Sequence, residues 1–360
     1  MSRATRRPGA GEGRLTTPRE AGFAMPPEWA PHARCWMAWP CREAAWGDPA
    51  GLEEARRSYA EVAQAIARFE PVTMICRPDQ LARASLLCGP GIAVLPMQHD
   101  DSWTRDTGPT FLLDQQGALA GTTWRFNGWG EAYSDHGQDA QMARRVLEHL
   151  GVRRFVSSMV MEGGGLHVDG EGTALVCAPS VLDSKRNPGL TRGEAEEELK
   201  SFLGAETVVW LPAGLADDET GGHVDNIACF ARPGVVLALA TDDKADANRA
   251  GLDENAAVLR AATDARGRTI EVVPVQQPRA RSREGRGGRA TLSYINFYLA
   301  NGGVVVPSFA DPADSAAAKA IAAAFPDRKL VQVEAAEIVR GGGGIHCITQ
   351  QQPRGAPDAT

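Results

Sequence analysis

The sequence predicts an α/β fold in which five similar modules close into a ring, a five-bladed pseudosymmetric α/β propeller joined by its N- and C-terminal strands. Three observations predict it. A helix, a short apolar strand, a turn and two further strands recur along the chain. Chemically distinctive residues recur at the turns. The last copy lacks a second strand, which an N-terminal apolar run can supply. An ordinary α/β sheet with accidental regularity is the competing reading.

In chain order, residues 1–24 are rich in Gly, Arg, Pro and Thr and read as a flexible arm. Residues 25–353 show no linker or break in composition and read as one domain; 354–360 read as a short tail. ARCWMAWP (33–40) is the N-terminal apolar run. IAVLPM (92–97) leads to WTRDTGPTF and the strand pair that follows. The helical spacing of DHGQDAQMARRVLEHL (135–150) precedes RRFVSS and EGGGLHVDGEGTALVCA. TRGEAEEELKSFL (191–203) precedes TVVWL and GGHVDNIACFARPGVVLALA, and NRAGLDENAAVLRAATD (248–264) precedes TIEVVPV and SYINFYLANGGVVVPSF. DSAAAKAIAAAF (314–325) precedes KLVQVE and GGGGIHCITQQ. With Asp106, Glu162, His223, Tyr294 and Cys347 as markers, the spacings are 56, 61, 71 and 53 residues.

A chain of 360 residues, 43% hydrophobic and 23% charged, is globular rather than disordered or fibrous. Its net charge of −7 argues against a nucleic-acid partner. No apolar run approaches the roughly 18 residues of a membrane span, and no apolar segment follows Arg6 and Arg7, so a cytoplasmic location is expected. Seven cysteines without a CxxC pair argue against a disulfide scaffold or a zinc finger. Cys76 and Cys229 sit in strand-like runs and read as buried apolar residues. Self-association as a homodimer or higher homo-oligomer is compatible with the chain.

Cys347 stands apart, because four glycines before it let the backbone approach a ligand closely. A thiolate nucleophile needs a nearby cation or base, which His223 would supply across the ring. A buried structural cysteine is the alternative. His223 and Asp225, two residues apart, share one face if their segment is a strand; they could equally be core residues or, with Cys347, zinc ligands. No HxH, HExxH or CxxC pattern supports a metal, and none is expected. Trp103 and Asp106 offer one cation an aromatic wall and a carboxylate, unless they lie on a solvated turn with Arg105 paired to an aspartate. Glu162 precedes three glycines at a strand end. His167 precedes an Asp169-Gly170 hairpin turn and reads as structural. Neither GEGT nor GGGG has the context of a phosphate loop, so no nucleotide is expected.

CWMAWP, DSWTRDTGPTF, FNGWGEAY, EGGGLHVDGEGT, RNPGL, WLPAG, GGHVDN, SYINFYLANGGVVVP and GGGGIHCITQQQP follow one another in order through nearly the whole chain. In this series the chain closely resembles the bacterial and plant agmatine deiminases, of the agmatine and bacterial-type peptidylarginine deiminase family of guanidino-group modifying enzymes. The resemblance implies a five-fold pseudosymmetric α/β propeller of the pentein type. It implies cofactor-free hydrolysis of agmatine to N-carbamoylputrescine and ammonia in a polyamine pathway. It puts the nucleophile on Cys347, the general acid/base on His223, the guanidinium-gripping carboxylates on Asp106 and Asp225, and a further acidic catalytic residue on Glu162. The sequence departs from the family at Gly344, where Asn is usual. A mouth near Asp106, Glu162 and Asp225, with Asp217, Asp218 and Glu219 close in sequence, favours a dication over a carboxylate-bearing substrate. Arg105 would oppose that preference if it faced the pocket. Free or peptide C-terminal arginine is the nearest alternative substrate; a metal-dependent hydrolase and a non-catalytic guanidino-compound binder are more distant ones.

Overall fold

The computed structural model of the protein describes residues 16–282 and 288–356. The strands among these residues are β1 (Phe23–Ala24), β2 (His32–Ala38), β3 (Val72–Cys76), β4 (Ile92–Pro96), β5 (Thr110–Asp114), β6 (Leu119–Arg125), β7 (Arg153–Val160), β8 (Leu166–Val168), β9 (Thr173–Cys177), β10 (Thr207–Leu211), β11 (Ala228–Arg232), β12 (Val235–Ala240), β13 (Glu271–Gln276), β14 (Tyr298–Ala300), β15 (Gly303–Ser308), β16 (Lys329–Glu334) and β17 (Gln350–Pro353). They form five sheets with one shared plan. Two strands pair antiparallel, and the second runs parallel to a third that arrives after a helix. The sets are β5-β6-β7, β8-β9-β10, β11-β12-β13, β14-β15-β16 and β17-β2-β3.

The fifth set closes the ring. β17 pairs antiparallel with β2, matching Gln350 to Trp36 and Gln351 to Cys35. The N-terminal run thus supplies the missing strand. Two strands lie outside the plan: β4 extends the fifth sheet beside β3, and β1 pairs with β5.

Local chemistry accounts for the elements. The helix Pro49–Ala67 begins with Asp48, whose side chain accepts from Gly51 N, and with Pro at its first position. The helix Arg192–Leu203 has a full capping box between Thr191 and Glu194 and ends at Gly204 in the left-handed region. VTMIC and TALVC are buried at every residue, as expected of strands covered on both faces. Cys76 and Cys229 are buried within strands, and no cysteine among the described residues is disulfide-bonded. Among those residues no helix is long and apolar enough to cross a membrane.

Residues 1–15 of the expected arm lie outside the described residues. Its remaining part is packed rather than free: Phe23 is buried, and β1 is paired. The tail behaves likewise as far as Ala356, with Arg354 N donating to Pro31 O and Ala356 N to Gly117 O; residues 357–360 lie outside the described set.

Candidate active site

Each sheet is entered through a turn just before its first strand, and each of those turns delivers a side chain or backbone group to one place. Asp106 precedes β5 and Glu162 precedes β8. His223 and Asp225 precede β11, Asn296 precedes β14, and Cys347 precedes β17. All six are buried. A cleft reaches two of them, Asp106 and Cys347, and is lined also by Trp103, Trp129, Tyr133 and Glu219, among others.

Cys347 Sγ lies 3.5 Å from Asp225 Oδ2 and accepts from Asn296 Nδ2 at 3.2 Å. His223 Nε2 donates to Glu162 Oε2 at 3.2 Å, and its Nδ1 is 3.6 Å from Asp106 Oδ1. Asp106 accepts from Trp129 Nε1 at 2.9 Å and from Gly164 N at 3.0 Å. Trp103, at the cleft wall, stacks on Trp46 with centroids 6.1 Å apart. Two polar atoms here are buried without a hydrogen-bond partner, Asp225 Oδ1 and His223 Nδ1. Orphaned acceptors and donors of this kind mark a place for a ligand.

Gly164 holds this cluster together by having no side chain. A Cβ there would lie 2.6 Å from His223 Nδ1 and 2.9 Å from both Asp106 Oδ1 and Asp225 Oδ2. Gly164→Ala is therefore expected to displace all three groups and to lower kcat/KM about a hundredfold, a 1 Å misplacement being worth about that much. Activity within threefold of the parent would show that the cluster tolerates the extra carbon.

Electrostatics separates the ionisable groups. Burial alone would push His223 down, but Asp106, Glu162 and Asp225 outweigh it and raise its pKa to about 9. Burial pushes Glu162 up, yet the His223 hydrogen bond and the Arg186 charge carry it below its usual value. Asp225 is also lowered, its burial being outweighed by the hydrogen bond from His346. Asp106 goes up, through burial and then through Asp225 and Glu162. The Cys347 thiol is held well above its ordinary value by burial and the charges of Asp225 and Asp106.

A histidine whose pKa is raised from about 6.5 on folding stabilises the protein fully below 6.5 and loses that contribution as pH rises through about 9. The Tm difference between the parent and His223→Gln is expected to be largest near pH 6 and to shrink above pH 9. A constant difference across that range would mean that the imidazolium is not formed.

Three features were not evident in the sequence. Asn296 fills the fourth position of the ring, whereas the marker Tyr294 points elsewhere and donates to Asp314 Oδ1 at 2.6 Å. Arg186 donates to Glu162 Oε1 and Oε2 at 2.9 and 3.0 Å. Arg105 is paired with Glu28 at 3.4 Å, not with a neighbouring aspartate, and it does not line the cleft. Of the acidic run before His223, only Glu219 lines the cleft; it accepts from Tyr133 Oη at 3.2 Å. Asp218 is tied to Thr220, and Asp217 accepts from Arg289 N. His167 lies in β8, where Nδ1 accepts from Phe230 N, a structural position. At Gly344 a Cβ would lie 2.4 Å from Asn296 Oδ1, so the missing side chain makes room for that amide. No group of three or more His, Cys, Asp or Glu among the described residues is arranged to hold a metal ion.

Residues 24–353 match the family model described as Porphyromonas-type peptidyl-arginine deiminase. The chain is 44% identical over 360 residues to the agmatine deiminase of Stutzerimonas stutzeri, covering 94% of this chain and 97% of that one. It is 43% identical over 361 residues to the agmatine deiminase of Pseudomonas aeruginosa, with the same coverage. Among solved structures, the agmatine deiminase of Enterococcus faecalis superposes with a TM-score of 0.91 at 34% identity, covering 94% of this chain and 98% of that one. Matches of this identity and extent, on a shared fold, establish that the chain belongs to the Porphyromonas-type peptidyl-arginine deiminase family.

Proposed function

We propose that the protein hydrolyses agmatine to N-carbamoylputrescine and ammonia, a step in polyamine biosynthesis, through a covalent intermediate on Cys347. The observation that carries the reading is a thiol and a carboxylate lining a cleft walled by indoles, with Asp225 3.5 Å from the thiol and His223 3.6 Å from Asp106 buried beside them. A guanidinium is planar and delocalised, with forked N–H donors that match paired carboxylates. Asp106 and Asp225 grip it, and the orphaned Asp225 Oδ1 supplies a free acceptor. Trp103 provides an aromatic wall.

Binding such a cation offsets the carboxylate charges that hold the thiol protonated, so the thiolate forms when the substrate is present. Cys347 Sγ then bonds to the central guanidino carbon. His223, protonated near neutrality, gives its proton to a departing nitrogen, which leaves as ammonia. The amidino-thioether that remains is attacked by water, whose proton returns to the now neutral His223. Collapse expels the thiolate and leaves the ureido product. Both oxygens of Glu162 are engaged by Arg186 and His223, which favours a role in orienting His223.

Glu219 at the cleft supports a substrate with a second cation, and Arg105 is turned toward Glu28 and does not line the cleft. The deciding experiment is ammonia release from agmatine, free arginine and a peptide ending in arginine, each with and without EDTA. Agmatine should lead in kcat/KM by about two orders of magnitude, about 2.8 kcal/mol. The chelator should change nothing, and Glu219→Gln should narrow the margin by raising the KM for agmatine. Preference for either arginine substrate would overturn the assignment of agmatine; loss of activity to EDTA, restored by zinc, would overturn the metal-free mechanism.

A further inference from the structure

Beside Asp225 lies a second buried polar cluster that the reaction as written does not use. His346, the residue before the nucleophile, spans two carboxylates. Its Nδ1 lies 3.0 Å from Asp225 Oδ2 and its Nε2 2.8 Å from Glu28 Oε1, both at hydrogen-bond distance. Glu28 comes from the segment before β2, far away in sequence. It is also faced by Arg105 Nη1 at 3.4 Å and by His167 Nε2 at 3.6 Å. Arg105 in addition donates from Nε to the His346 carbonyl at 3.4 Å. The His346 backbone N–H is held by Asn296 Oδ1 at 2.8 Å. Every one of these residues is buried.

A neutral imidazole has one N–H and cannot donate to both carboxylates at once; the imidazolium can. The Asp225–His346–Glu28 geometry is thus that of a charged bridge. It occupies Asp225 Oδ2 and leaves Oδ1 as the atom without a partner.

We propose that His346 and Glu28 are positioning residues for Asp225: the imidazolium, anchored from behind by Glu28, keeps the carboxylate ionised and rotated so that Oδ1 meets the substrate guanidinium. The inference rests on the guanidino-substrate reading given above. The charges around the bridge agree with it. His346 is raised by Glu28 and Asp225 against its burial and the Arg105 charge. Glu28 is lowered by His346, Arg105 and His167 against its burial. Removing the Glu28 charge would let His346 lose its proton. Asp225 would then lose its stabilising cation, and its own pKa would rise.

Two measurements test this. In the substrate-free protein at pH 7.5, nitrogen-labelled histidine NMR, assigned with His346→Gln, should show both ring nitrogens of His346 protonated; Glu28→Gln should lower its pKa. In steady-state assays with agmatine, Glu28→Gln should raise KM about tenfold, or about 1.4 kcal/mol, while kcat stays within about threefold. The acid limb of kcat/KM should move to higher pH by about one unit, as Asp225 becomes easier to protonate. Glu28→Asp, which retains the charge, should fall between the two. A role confined to folding would lower Tm and the active fraction without moving KM or the pH profile, and that result overturns the proposal. A neutral His346 in the parent protein also overturns it. If the parent releases ammonia from no guanidino compound, the proposed function falls, while the NMR measurement still decides whether the bridge exists.

Discussion

Cys347→Ser is expected to lower kcat with agmatine by at least about a thousandfold, about 4 kcal/mol in barrier height, while leaving the unfolding transition in place. A hydroxyl replaces the thiol with almost no change in the turn, because the backbone there is fixed by other contacts. Cys347 N donates to Asn296 Oδ1, and Cys347 O accepts from Arg105 N. What changes is acidity. A thiol, although raised here by burial and by Asp225 and Asp106, can still ionise beside a bound cation; a hydroxyl cannot to any useful extent. Intact-mass analysis sharpens the result. In the parent enzyme, quenched during turnover with agmatine, an amidino adduct should be found on Cys347, and none should form in the serine variant. Activity in the serine variant within tenfold of the parent would sink the covalent route.

Asp225→Asn carries the second large effect, an expected loss in kcat/KM of about three orders of magnitude, most of it in KM. The carboxylate is buried and bears three demands: the His346 imidazole, the Cys347 thiol and, through Oδ1, the substrate. An amide can present only one oxygen. Either His346 or the guanidinium would then face an N–H group, leaving a buried charge without its partner at a cost of about 3–5 kcal/mol. Asp106→Asn meets the same difficulty, because Trp129 Nε1 and Gly164 N each donate to one of its oxygens and one of them would face the new amide N–H. A measured loss at Asp225 below tenfold would remove it from the guanidinium grip.

The contrast between these residues and those not found in the sequence has a physical basis. Strand and helix periodicities are local, so the repeat and the turns carrying Asp106, Glu162, His223 and Cys347 could be read directly. The strand that closes the ring could be inferred because one copy was short by a strand. Asn296 lay two residues from the chosen marker, and an amide flanked by apolar residues has no local pattern that separates a site residue from a core one. Glu28 had still less to announce it. Its partner His346 is 318 residues away, and a carboxylate in a Pro-rich N-terminal stretch looks solvated until the fold buries it. Arg105 followed the same logic in reverse: nearby aspartates offered plausible partners, but the deeper and more distant Glu28 took it. Pairing between remote buried charges depends on tertiary packing, which periodicity does not encode.

The pairing of β17 with β2 has a consequence for how the molecule comes into being. Trp36 Nε1 donates to Gln352 Oε1 across 316 positions of sequence, so the fifth sheet cannot be completed until the chain has emerged almost to that point. Synthesis at about 5–20 residues per second leaves the earlier sheets exposed to solvent for many seconds before the closing strand arrives. Cys347 lies just ahead of that strand. On the proposed mechanism a nascent chain therefore carries the carboxylates and the histidine without the nucleophile, and the event that seals the ring also delivers the thiol.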